Sequence, residues 1–82
     1  PYIADPVADF TYIKNEANPL KIEFTNTSTD AVFSSWNFGD SSPIDLTANP
    51  THTYAAAGSY TVVLTVQNIA GVPDTVTKNI TV

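Results

Sequence analysis

Trp36-Asn37-Phe38-Gly39-Asp40, then His52-Thr53-Tyr54, then Gly58-Ser59-Tyr60-Thr61-Val62-Val63-Leu64-Thr65-Val66 is the stretch whose reading decides the fold. The first run is a strand that stops in a tight turn, because Gly39 and Asp40 supply turn chemistry. The second is a brief strand leading to a corner at Ala55-Ala56-Ala57-Gly58. The third alternates without a break. Tyr60, Val62, Leu64 and Val66 share one face, and Thr61, Val63, Thr65 and Gln67 the other, as in a half-buried strand.

Outward from this stretch the same period of two recurs. Val7 to Ile13 reads as an edge strand, with Pro6 before it where a missing N–H does little harm. Leu20, Ile22 and Phe24 alternate on one face of the next strand, and Thr27 to Asp30 is a polar turn. Val32, Ser34, Trp36 and Phe38 share one parity, so that set is expected to face inward, leaving Phe33 outside. Ile44 to Leu46 reads as a short edge strand. Asp74 to Val82 returns with Val76, Ile80 and Val82 as its apolar set; Lys78 shares their parity, so it must reach solvent or sit on a bulge. No helical periodicity is sustained anywhere. Seven short strands with turn signals every 8–12 residues or so predict an all-β, seven-stranded immunoglobulin-like sandwich of two antiparallel sheets.

Composition narrows the function. The chain has 82 residues, enough for a single domain, and its nine aromatics must carry a small core. It has no Cys, so no disulfide or thiolate chemistry is open to it. Three Lys against eight carboxylates give a net charge of −5. That balance lacks the basic stripe that nucleic-acid binding requires and disfavours an anionic lipid surface. No apolar stretch approaches the roughly 20 residues of a membrane-spanning helix. Because the chain starts at Pro1, residues 1–82 are expected to be one domain excised from a larger multidomain protein.

The sandwich hallmarks fall at expected places. Trp36 occupies the third strand, and Tyr60 lies two residues before Val62 in the spacing of a tyrosine corner. Phe24 and Val62 stand where an inter-sheet Cys pair would otherwise sit. The three ordered motifs resemble the signature of polycystic kidney disease (PKD) domains, W-D-F-G-D-G, P-x-H-x-Y and G-x-Y-x-V-x-L-x-V, with Asn37 for the usual Asp and Ser41 for the usual Gly. The opening Pro6-Val7-Ala8-Asp9-Phe10 also resembles that family's first strand. The resemblance implies a non-catalytic extracellular or cell-surface module, found in adhesins, surface-layer proteins and bacterial proteases or polysaccharide-degrading enzymes. It also implies contact with neighbouring domains, other surface proteins or polysaccharide, and no cofactor. The alternative is a carbohydrate-binding accessory module.

Residue by residue, Trp36, Phe38, Gly39, Asp40, His52, Tyr54, Gly58 and Tyr60 read as a structural motif. Asp40 is expected to accept backbone N–H bonds in its turn. His52, the single His, reads as hydrogen-bonded scaffold, since no nucleophile stands at a recognisable spacing from it. Phe33, Tyr12 and Tyr2 are the candidate exposed rings for ligand contact, and a sugar would need two or more on one surface. Asp5, Asp9, Asp40, Asp45 and Asp74 are oxygen donors, but no D-x-D-x-D-G run joins them, and no metal site is assigned. Asn26-Thr27-Ser28 and Asn79-Ile80-Thr81 fit the N-glycosylation pattern, which such a Thr-rich chain produces readily by chance.

Overall fold

The computed structural model describes residues 3–82. Two antiparallel three-stranded sheets face each other. One holds β1 (Phe10–Lys14), β2 (Lys21–Asn26) and β4 (Thr51–Thr53) in the order β1-β2-β4. The other holds β3 (Phe33–Asn37), β5 (Ser59–Gln67) and β6 (Pro73–Thr81) in the order β3-β5-β6. No helix is present among the described residues.

The inward parity of each strand builds one core. Ile22 and Phe24 from the first sheet meet Trp36, Val62, Leu64 and Val66 from the second, each at most 2 % exposed. Rings dominate the seam between the sheets. Phe10 packs edge-on to Trp36 at 5.1 Å, and Phe24 lies 5.3 Å from Trp36 and 5.2 Å from Phe38. With no disulfide, this burial and the two ladders hold the fold.

Six strands form where seven were expected. The segment from Ile44 to Leu46 makes only one bridge, Trp36 to Asp45, with reciprocal backbone bonds of 2.8 and 3.1 Å. Asp45 then turns its own carboxylate onto the Thr47 N–H at 2.7 Å, which bends the chain off the sheet edge. The first strand starts later than expected, at Phe10. Val7 makes a single bridge to Thr29, and at Asp9 the Ser28 hydroxyl, rather than a backbone carbonyl, takes the N–H. A side chain in the ladder's place interrupts it there.

One parity assignment also changes, and the two alternatives for Lys78 are resolved. Val32 is 72 % exposed, because it precedes β3 and follows Asp30, whose φ of 56° breaks the alternation. Lys78 sits on an unbroken register opposite Val62, so no bulge forms. Its ammonium instead spans the seam, donating to the Phe10 carbonyl at 2.6 Å, pairing with Asp9 at 3.1 Å and lying 5.0 Å over the Phe10 ring.

The molecule is elongated, 47 × 22 × 18 Å. Asn68, just past β5, donates its side-chain amide to the Ala4 carbonyl at 3.0 Å. Val82 exchanges backbone bonds of 2.9 and 3.0 Å with Gly58, just before β5. The two described ends of the chain are therefore held at opposite ends of the longest strand pair.

Candidate functional site

The sequence motifs converge at the pole where Val82 leaves. Gly39 has φ +79°, and a Cβ there would come within 2.3 Å of the Thr61 carbonyl oxygen, so only glycine lets the turn rest against β5. The Asn37 side chain accepts the Gly39 N–H at 3.0 Å. Asp40 accepts the Ser42 N–H at 3.2 Å and the Ser42 hydroxyl on one oxygen, and meets His52 Nε2 at 2.7 Å with the other. Partial desolvation raises its pKa, but the hydrogen bonds from Ser42 and His52 outweigh that, and the carboxyl is held below its ordinary range.

His52 lies flat against Phe38 at 4.2 Å and edge-on to Tyr54 at 4.6 Å. Tyr54 donates its hydroxyl to the Phe38 carbonyl at 2.9 Å, and burial, aided by the charge of Asp40, pushes that phenol far above its ordinary pKa. Tyr60 stacks on Tyr54 at 4.1 Å and donates to the Ala56 carbonyl at 2.7 Å, four residues upstream, which is the geometry of a tyrosine corner. In the Ser42–Asp40–His52 chain the carboxylate stands between hydroxyl and imidazole. The imidazole cannot take the hydroxyl's proton from there, so this is not a nucleophile–base pair.

The two candidate contact rings among the described residues, Tyr12 and Phe33, do not assemble. Tyr12 is 38 % exposed on β1 and keeps contact with Phe24 and Phe10. Phe33 is 44 % exposed on β3, in the other sheet, and has no ring neighbour among the described residues. Tyr2 lies outside the described residues. Among the described residues no three His, Asp or Glu side chains converge. Asp9 faces Lys78, Asp45 caps the Thr47 turn, and Asp74 accepts the Ala8 N–H at 2.7 Å.

The opposite pole, around the end of β5, carries the open surfaces. A concavity of ≈ 210 Å³ is bordered by Phe33 and Ser34 at the start of β3, Asn26 at the end of β2, and Asn49 before β4. Beside it a second, of ≈ 310 Å³, is bordered by Ile3, Val32 and Ile69, which are 48, 72 and 77 % exposed. Sequence reasoning singled out Phe33 for ligand contact; it noted Asn26 only in a glycosylation pattern and Ser34 only for its inward parity, and did not single out Asn49. Asn26 and Asn49 sit at an element end and in a loop, where Asn is expected for turn chemistry alone.

A PKD domain profile matches residues 3–82. The structure is similar to that of the PKD1 domain of Vibrio anguillarum Epp, at TM-score 0.86 and 30% identity over 99% of this chain and 96% of that one. It is also similar to the PKD1 domain of the Vibrio cholerae metalloprotease PrtV, at TM-score 0.82 and 36% identity over 96% and 98% of the two chains. A third likeness, at TM-score 0.77 and 27% identity, is to a structure described as showing the promiscuous specificity of carbohydrate-binding modules from the β-sandwich superfamily; this chain covers 35% of it. Matched over nearly its whole length and carrying the turn and corner that hold the fold, the chain belongs to the PKD domain family.

Proposed function

We propose that this PKD domain is a non-catalytic module of a larger extracellular or cell-surface protein, which sets the spacing of its neighbours and offers weak contacts to protein or carbohydrate. The observation that carries the reading is the placement of the chain ends. Ala4 is tied to Asn68 at one end of β5, and Val82 to Gly58 at the other. A rod held this way transmits position along its axis. PKD domains are in general non-catalytic, and the similar domains of Epp and PrtV come from bacteria.

Because the chain has no Cys, two introduced ones give unique labels. Spin labels at the exposed positions Asp5→Cys and Thr81→Cys should report a narrow distance distribution centred at about 25–35 Å, the span of β5 plus the label arms. A broad distribution, or one centred well below the strand length, removes the spacer reading. The second reading, contact with carbohydrate, is favoured by the concavity beside Phe33 and by the likeness to a structure of carbohydrate-binding modules.

A further inference from the structure

β6 runs for nine residues at the edge of its sheet, with β5 as its only neighbouring strand among the described residues. The register shows which of its backbone groups are left over. Gly58 and Val82 exchange both backbone bonds, at 2.9 and 3.0 Å. In an antiparallel ladder every second pair from there is hydrogen-bonded: Tyr60 with Ile80, Val62 with Lys78, Leu64 with Val76. The pairs between them turn the N–H and C=O groups of Thr75, Thr77, Asn79 and Thr81 away from β5, and all four residues are exposed. Such a row is a template for another strand. Edges are commonly guarded by a bulge, by proline or by an inward charge. β6 keeps an unbroken register, and its proline is its first residue, Pro73. Its two charges on the inner parity are held within the molecule, Asp74 on the Ala8 N–H and Lys78 on the Phe10 carbonyl and Asp9.

We propose that β6 is a self-association edge, to which a second copy of this chain adds its own β6, antiparallel, about a two-fold axis at Thr77. The occupant is a second copy because the strand is complementary to itself. Thr77 is the middle residue of Pro73–Thr81, so an axis there pairs the strand over its full length. Thr77 then meets the partner's Thr77, and Thr75 the partner's Asn79, as hydrogen-bonded pairs that use the left-over N–H and C=O groups. On the inner parity Val76 meets the partner's Lys78, and Asp74 the partner's Ile80, so no like charges stand directly opposite. An axis one residue on, at Lys78, would set two ammoniums opposite each other. Charge elsewhere also favours this edge. The chain carries −5, which opposes contact between copies, but in Pro73–Thr81 one Asp and one Lys cancel. The outward rows of the sheet that would be joined are uncharged: Asn37, Val63 and Thr77 in one, Ser35, Thr65 and Thr75 in the next. The contact is one strand wide and falls short of the roughly 1,200–2,000 Å² of stable complexes, so the pair forms only at high concentration.

Sedimentation velocity of the intact chain, from about 10 μM to about 1 mM, tests this, with a reversible monomer-to-dimer shift as the expected result. Cysteine cross-linking locates the axis, because the chain has no Cys of its own. A hydrogen-bonded pair sets its Cα atoms about 5.5 Å apart, within disulfide reach. Thr77→Cys should therefore oxidise to a linked dimer at least about tenfold faster than Thr75→Cys or Asn79→Cys, whose partner copies lie several residues away. Thr77→Pro removes a donor that β5 does not use, a change that an edge strand tolerates, and should abolish the shift. Thr77→Lys alters no backbone bond but sets two ammoniums on the axis, and should weaken association about fivefold. It keeps the test open if the proline variant unfolds, and unchanged denaturation midpoints establish which variants remain folded. A chain that stays monomeric at every concentration overturns the proposal. So does a dimer undiminished in the folded Thr77 variants, or cross-linking through Thr75→Cys or Asn79→Cys as fast as through Thr77→Cys.

Discussion

The two poles of this sandwich use the same kinds of residue to opposite ends. At the Val82 pole, Phe38, His52, Tyr54 and Tyr60 stack on one another, and the side-chain heteroatoms of Asp40, Tyr54 and Tyr60 are met by protein groups. At the Ala4 pole, Ile3, Val32, Phe33 and Ile69 stand 44–77 % exposed around two concavities. The turn after Trp36, the His52–Tyr54 strand and the tyrosine corner crowd the first pole. A motif that recurs by name can thus be a motif of stability, and the chemistry that varies between such domains lies where the strands run out into loops.

Substitutions should separate the poles by stability. The largest effect is expected where the sheets meet: Trp36→Ala removes a fully buried ring and the indole bond to the Thr47 carbonyl, and should cost about 4 kcal/mol or abolish folding, read by circular dichroism in denaturant. Gly39→Ala should cost about 3 kcal/mol, from the clash with Thr61 added to the strain of φ +79°, read by the fluorescence of Trp36. A midpoint within experimental scatter of the wild type would mean that the turn can lift off β5.

Asp40→Ala should cost about 1–2 kcal/mol at neutral pH by removing the acceptor of Ser42 and the partner of His52. This residue also fixes the sign of an acid effect. Its folded pKa is depressed, so its contribution is present at neutral pH and is lost as pH falls below about 4, through the folded value. Urea midpoints of the wild type should therefore fall in that window more steeply than those of the variant. Parallel curves would show that the network does not couple to protonation.

Ser41→Gly should stabilise by up to about 1 kcal/mol, since Ser41 holds φ 67° in the left-handed region, where a side chain is strained, less the extra chain entropy that glycine brings to the unfolded state. The smallest effects belong to the open pole: Phe33→Ala and Ile69→Ser should each move stability by no more than about 0.5 kcal/mol. A loss of several times that would make the Phe33 pole as structural as the other and erase the contrast.

The sandwich was legible because alternation and turn chemistry are local properties. Tyr60 to Val66 could be assigned to a face from period alone, and the G-x-Y-x-V pattern located the corner to the residue. The same locality explains the errors. Ile44 to Leu46 alternates like a strand, but Asp45 bonds to Thr47 instead of extending the ladder. Val32 has the parity of Trp36 but lies before the ladder that would enforce it.

What the sequence determined by itself is therefore the two-layer fold, the residues that close its core and the acidic, cysteine-free character that narrows its partners. What only the tertiary structure decided is which uncharged residues meet. Asn26, Ser34, Phe33 and Asn49 come from both sheets and a loop, and nothing in their spacing announces a shared cleft. Strand patterns record which face a residue takes, whereas a cleft depends on how two sheets part at their ends, and that is settled by packing and by backbone groups such as the Ser28 and Asn26 N–H bonds that set the direction of each amide.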